Sequence, residues 1–347
     1  MKSALPFLLF AAFAAPCGAE NQAMLKAELI FEKAPFAQCH ASTIVETGAG
    51  LVTAWFGGTA EGNPDVGIWL SREESGGWTS PVEVADGLQS NGVRIPCWNP
   101  VLFKSQNGPL FLFYKVGPSP SKWWGMEMRS ADDGKTWSEA RRLPEPLLGP
   151  IKNKPVQLPG GEILSPSSVE DHGWQVHFEK STDGGATWKY LGPVNDAREI
   201  AAIQPSILLH GNGRLQAIGR TKQRHLFTIT STDNGDTWGP MTLLPLPNPN
   251  SGIDAVTMKN GQHALIYNHT ANGRTPLNLA VSGDGKSWNA ALVIESEPGE
   301  YSYPAIIQTS DRLLHVTYTW KRQRIKHVVI DPAKLELQPI VNGVWPE

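Results

Sequence analysis

Apolar residues along this chain fall in short runs, some continuous and some alternating with polar residues, each bounded by turn formers. The clearest are Ser42–Trp55, Val101–Tyr114, Ile207–Ile218, Ala264–Tyr267 and Leu313–Thr319. Runs of this length and flanking chemistry predict β-strands. No long stretch repeats apolar residues at the helical period between capping residues. The pattern therefore predicts an all-β chain.

One phrase punctuates the runs. It reads Ser130-Ala-Asp132-Asp-Gly134-Lys-Thr136-Trp137, then Ser181-Thr-Asp183-Gly-Gly185-Ala-Thr187-Trp188. It returns as Ser231-Thr-Asp233-Asn-Gly235-Asp-Thr237-Trp238 and, shortened, as Ser282-Gly-Asp284-Gly285-Lys-Ser287-Trp288. A worn copy, Ser71 to Trp78, lacks the aspartate. The full copies start about 50 residues apart, the spacing of a propeller blade. Asp at the third position can accept bonds from N–H groups further round a turn, and Gly supplies the positive φ. The Trp then opens the next strand, where it can pack between sheets with its N–H bonded at the rim.

Parsed this way, blade 1 runs from His40 to about Val84, blade 2 from Asn99 to Arg142, and blade 3 from Lys154 to Tyr190. Blade 4 covers Gln204 to Leu243, blade 5 Asp254 to Val293, and blade 6 Tyr303 to Ile330. The sixth lacks the phrase, and Lys26–Glu32 is the strand available to complete it and close the ring. The expected architecture is a six-bladed β-propeller.

Composition adds bounds. With 34 Gly, 28 Pro and 13 Trp in 347 residues, the chain is rich in turns and rigid aromatics. The first residues read as a cleavable signal peptide, 1–19: Lys2, an apolar stretch from Leu5 to Ala15, then Cys17-Gly-Ala19. That stretch is too short to span a bilayer, so a periplasmic or secreted location is expected. The remainder, 20–347, reads as a single propeller domain, because repeat folds grow by adding blades. A formal net charge of −3 gives no reason to expect a nucleic-acid partner. Past the leader only Cys39 and Cys97 remain, either as two buried thiols or as a disulfide. No Cys/His spacing suggests zinc, and no metal or cofactor is expected.

In a propeller the inner-strand starts and nearby loops converge at one end of the central channel, the expected pocket. The segments arriving there carry His40, Asp65, Arg94, Trp98, Asn99, Trp123-Trp124, Lys152, Lys154, Glu170, Gln204, Arg220, Lys222, Asp254, His269, Arg274, Tyr301 and Tyr303. Six of these are cations, from four segments of a slightly acidic chain. Arginine suits bidentate binding of a carboxylate, so the pocket reads as built for an acidic sugar or similar anion.

The repeated phrase resembles the Asp-box, or BNR repeat, of sialidases, which lies on the outer turn of each blade away from the active site. The resemblance implies three arginines around the substrate carboxylate. Arg220 matches the second by its place in its blade, and Arg274 the third. The first normally sits in an Arg-Ile-Pro motif opening blade 1, where this chain has His40-Ala41-Ser42; Arg94-Ile95-Pro96 opens blade 2 instead, making Arg94 the candidate substitute. The family's acid/base aspartate matches Asp65, with Glu61 in reserve, and its tyrosine nucleophile matches Tyr301, with Tyr303 expected on the same strand face. A tyrosine nucleophile departs from the usual pair of carboxylates. Its partner glutamate falls at Gln204, an amide that cannot take a proton as a carboxylate would; Glu170 is the carboxylate at comparable depth, and Asp254 the next. Asn99, Trp98, Lys154 and Tyr303 join the arginines as substrate-binding candidates. The phrases Trp98-Asn-Pro100, Asn153-Lys-Pro155 and Tyr301-Ser-Tyr-Pro304 are closer to BNR-repeat-like members of the sialidase family.

The implied function is a monomeric, secreted exo-glycosidase releasing a terminal acidic sugar, sialic acid or a related carboxylate sugar, from an oligosaccharide or glycoconjugate. Two alternatives stay open. His40, His269 and Tyr301 with the arginines could remove the C5 proton of a uronate, making a polysaccharide lyase. Trp98, Trp123 and Trp124 could instead stack on sugars in a binding protein without turnover.

Overall fold

The computed structural model describes residues 22–171 and 173–346; the expected signal peptide lies outside them. Six antiparallel sheets, taken in chain order, form the blades of a ring, and the structure is a six-bladed β-propeller. The inner strands are Gln38–Thr47, Cys97–Lys104, Val156–Gln157, Ala202–Leu209, Asp254–Thr257 and Tyr301–Gln308. Met24–Leu29 pairs antiparallel with Arg324–Ile330 as the outer strand of blade 6, with Glu28 opposite His327. That is the expected closure, and it gives the last blade its fourth strand. The sequence did not reveal that Gln338–Pro339 adds to the outer strand of blade 5, Trp288–Glu295.

The Asp-boxes show why the repeat recurs. In three of them the aspartate accepts from the threonine four residues on, at N–H and at Oγ1: Asp132 with Thr136, Asp183 with Thr187, Asp233 with Thr237. The serine Oγ accepts from the glycine N–H at 2.8–3.0 Å. These contacts hold the Asp183 and Asp233 carboxyls down at about 2. Each box tryptophan packs on the preceding blade: Trp188 meets Phe113 edge-on, and Trp238 stacks on Phe178 with centroids 4.1 Å apart. The indole N–H groups only partly follow expectation. Trp78 bonds Glu28 and Trp238 bonds the Gly235 carbonyl, whereas those of Trp137, Trp188 and Trp288 are buried without a partner.

The core is a series of apolar clusters between blades rather than one centre. Each sheet buries both faces against its neighbours, so core strands read as continuous apolar runs. Cys39 and Cys97 are both buried free thiols, and burial pushes the Cys39 thiol up to about 12.

Candidate functional site

Four inner strands share one irregularity. Their pairing registers slip at His40/Thr43, Trp98/Val101, Ile203/Ser206 and Ser302/Ala305. Within each slip one residue adopts a left-handed backbone: Ala41 (φ 57°), Asn99 (38°), Gln204 (55°) and Tyr303 (50°). Each such residue costs on the order of 1–3 kcal/mol, and such strain concentrates where function demands it. A bulge also re-aims side chains that strict alternation would send elsewhere.

Blade 6 shows the consequence. Tyr301 and Tyr303 would share a strand face by alternation, but the bulge between them separates the two. Tyr301 lies in the core among Ile266, Leu277 and Tyr318. Its phenol abuts Gly299, and burial with Glu295 and Glu297 nearby pushes its pKa up. Tyr303 stands at the channel centre. His40 of blade 1 lies against its ring, centroids 4.2 Å apart. The Arg220 and Arg274 guanidinium carbons, from blades 4 and 5, lie 5.4 and 5.6 Å from its centroid. Lys152 Nζ, from the approach to blade 3, is 6.0 Å away. Five blades thus meet at one phenol.

A third arginine completes the cationic centre, and it is not Arg94. Arg94 donates to the Asp86 carbonyl and pairs with Glu83 at 2.8 Å, beside the outer strand of blade 1, Val82–Ala85. It serves as a loop tie. Arg322, in the blade 6 turn whose Lys321 and Arg322 are both left-handed, faces the site instead. The Arg322 carbonyl accepts from the Cys39 N–H, which seats the turn against the start of blade 1. That is where the resemblance places the family's first arginine. Arg322 bridges Glu61 and Glu300, and Glu300 also accepts from Arg274 Nη1 at 2.6 Å and from Ser302 Oγ at 3.1 Å. Burial pushes the Glu300 carboxyl up, but Arg274 and Arg322 outweigh it and hold its pKa below the ordinary value.

His40 feels the same charges. It is 2% exposed and bonds Thr319 Oγ1 through Nδ1 at 2.9 Å. Burial, then Arg322, Arg274, Arg220 and Lys152, push its pKa well below the ordinary value, so the imidazole is neutral at physiological pH. Lys152 donates to the Ile253 carbonyl at 2.9 Å, to Asn153 Oδ1 at 3.0 Å and to the Pro304 carbonyl. Its burial lowers the ammonium to about 7. Gly252 makes room for it: a Cβ there would sit 3.2 Å from both Lys152 Cε and the Tyr303 ring.

The other expected residues divide between this centre and its supports. Glu170 is hydrogen-bonded to Trp174; burial raises its pKa, with Arg220, that bond and Lys222 opposing. Arg220 also lies over Trp174 at 5.2 Å and donates to the Asn250 carbonyl at 3.0 Å, while its Nε is buried without a partner. Gln204 is 2% exposed with its Oε1 likewise unpaired, and Asn99 is 5% exposed. Lys154 belongs to the scaffold. It pairs with Asp254 at 2.8 Å, and Asp254 further accepts from Ser206 Oγ and the N–H groups of Ala255 and Ile306, tying blades 3 to 6 together. Asp65 spends both carboxylate oxygens on Thr59, at 2.8 and 2.9 Å, capping its own loop. Trp98 is buried, donates to the Gly117 carbonyl and meets Phe56 and Trp123 edge-on. His269 is held by Tyr267 Oη and the Gly343 carbonyl. No cluster of three or more His, Cys, Asp or Glu residues suited to a metal occurs among the described residues.

Sequence reasoning missed Arg322 and Trp174. A signal for the bulges was present, however: Asn99-Pro100, Gln204-Pro205 and Tyr303-Pro304 repeat an X-Pro step at the same place in three inner strands.

Fold and site together define a six-bladed propeller with a cationic, tyrosine-centred channel mouth. The chain belongs to the BNR repeat-like domain family, whose model matches residues 49–316. It is 23% identical over 254 residues to a sialidase of Bacteroides fragilis (strain YCH46), an alignment covering 62% of this chain and 44% of that protein. The chain thus spans less than half the length of that curated relative. Among solved structures, a protein of unknown function from Dyadobacter fermentans superposes with a TM-score of 0.75 at 17% identity, covering 91% of this chain and 99% of that one. The intramolecular trans-sialidase of Ruminococcus gnavus superposes with a TM-score of 0.74 at 13% identity, covering 92% and 100%. At these identities the superpositions establish the fold. No helix among the described residues is long and apolar enough to cross a membrane.

Proposed function

We propose that this chain is an exo-acting glycosidase of the sialidase type that removes a terminal acidic sugar, sialic acid or a related carboxylate sugar, from a glycan. The observation that carries this reading is the convergence of Arg220, Arg274 and Lys152 on Tyr303, with Arg322 joined to Arg274 through Glu300. Guanidinium groups fixed by packing and ion pairs bind a planar carboxylate at little entropic cost. Tyr303, rather than Tyr301, is the nucleophile: its oxygen attacks the anomeric carbon as its phenolic proton passes to water in the channel, and His40 packs against its ring. Glu170, whose pKa burial raises, protonates the departing oxygen, then as carboxylate activates the water that releases the sugar from Tyr303. Asp65 caps its loop in this scheme. Residues 1–19 act as an export leader, which N-terminal sequencing of the exported protein would check.

A second reading, carbohydrate binding without turnover, draws support from Gln204 standing where the family has a glutamate and from the engagement of Asp65 by Thr59. The lyase alternative is weakened by the two partners that hold His269. Release of sugar from sialosides and uronides, compared between wild type, Tyr303→Phe and Glu170→Gln, separates the readings. Saturated acidic sugar lost in both variants supports the glycosidase. Binding without release supports the second reading, and an unsaturated uronide would restore the lyase.

A further inference from the structure

The cationic centre does not end at Arg220. Trp174 lies beside it with Arg220 over the ring at 5.2 Å, and Lys222 Nζ lies over the same indole at 4.8 Å. Arg220 is buried at the centre, Trp174 is half-buried, and Lys222 is exposed at the rim. Tyr303, Arg220, Trp174 and Lys222 therefore form a track leading outward from the channel over blades 3 and 4. Glu170 sits along it, bonded to Trp174 and within the fields of both cations. This carboxyl is the group assigned above as proton donor to the departing oxygen. A ligand with one unit seated on the arginines would cross Glu170 at its linkage and place its next unit at the edge of Trp174, beside Lys222.

Trp174 is half-buried with Arg220 and Lys222 over its ring, so a sugar meets the exposed edge of the indole with the Lys222 charge beside it. A neutral second sugar would contact the indole and gain nothing from the ammonium; an anionic one would pair with the ammonium as well. We propose that Trp174 and Lys222 form a leaving-group subsite selective for a second acidic sugar, so that the substrate is an acid-to-acid linkage rather than a lone acid on a neutral glycan. The proposal rests on the reading of the arginine centre given above.

The test compares the full chain with Lys222→Met, which keeps the apolar stem, and Trp174→Phe. Probes are two disaccharide pairs: α2,3-sialylgalactose against α2,8-linked disialic acid, and galactosyl-galacturonic acid against digalacturonic acid. The readout is the ratio of affinities within a pair, or of kcat/KM where a probe is cleaved. Wild type should favour the doubly acidic member by about 1.5- to fivefold, the range for one exposed charge pair. Lys222→Met should bring the ratio close to one, and 1 M salt should compress it in wild type because an exposed pair is screened. Trp174→Phe should weaken both members of a pair together. Singly acidic probes binding with no preference, or a preference that survives in Lys222→Met, would overturn the subsite and leave the centre standing. Failure of every acidic probe to bind wild type would overturn both.

Discussion

Replacing Arg322 by Met tests how the missing first arginine of the family has been rebuilt. The guanidinium holds Glu300 through Nε at 2.6 Å and Glu61 through Nη1, with a side chain 25% exposed. Methionine retains most of the stem's packing and removes the charge. Two costs follow, and they separate. For folding, partly exposed pairs of this kind contribute roughly 0–1 kcal/mol each, and Glu300 keeps Arg274 and Ser302 as partners. The expected loss of stability is therefore about 1 kcal/mol or less. For binding, a charge-assisted hydrogen bond to a carboxylate is worth about 1.5–3 kcal/mol, which predicts roughly 10- to 150-fold weaker binding of an acidic sugar. Isothermal titration with an acidic monosaccharide, beside urea unfolding of the same samples, measures both. Arg94→Met is the matched control: it breaks an ion pair of similar exposure with Glu83, outside the channel, and should leave affinity within about twofold of wild type. If Arg94→Met weakens binding as much as Arg322→Met, or if Arg322→Met does not weaken it, the assignment of Arg322 to the carboxylate site is wrong.

Three further outcomes are expected. Tyr303→Phe should reduce sugar release by at least about 100-fold while Tyr301→Phe reduces it little, since only the first phenol lies among the cations; equal losses would sink the choice of nucleophile. Asp254→Ala strips Lys154, Ser206 and two backbone N–H groups of their buried acceptor and should destabilise the fold by about 3–5 kcal/mol in chemical denaturation, whereas an effect confined to activity would contradict its scaffold role. His263 and His327 are both buried, which lowers each to about 4, the latter against the opposing pull of Glu28. The unfolded chain thus binds more protons between about 4 and 6.5, and stability should rise with pH across that window and be lost as pH falls through it, by up to about 3 kcal/mol per histidine. Urea midpoints at pH 4.5 and 7 check this, and His263→Gln should flatten the slope.

How much of this was legible in the chain differs between fold and site. The blades were readable because the Asp-box is a local device: Asp183, Gly185 and Thr187 close their own turn, and the spacing of copies follows from four short strands per unit. Closure by the N-terminal strand was readable because blade 6 lacked an outer partner. The site depended on features with no local pattern. Alternation placed Tyr301 and Tyr303 on one face, but the bulge at Ser302/Ala305 sends Tyr301 to the core and Tyr303 to the channel. Motif matching favoured Arg94 because Arg-Ile-Pro is a family phrase, yet the chain uses that arginine to tie a loop to Glu83. Arg322 lies in a turn of the one blade without a box, and its role emerges only where that turn meets Cys39 across the ring closure. Asp65 matched by loop position, but whether a carboxylate serves its loop or a ligand depends on Thr59, six residues away.

The most direct test of the central claim is a crystal structure of the protein soaked with an acidic monosaccharide such as N-acetylneuraminic acid. The carboxylate is expected within hydrogen-bond distance of Arg220, Arg274 and Arg322, with the anomeric carbon facing the Tyr303 oxygen. A carboxylate bound at Arg94, or a sugar seated on Trp98 and Trp123 with the arginine centre untouched, would contradict it.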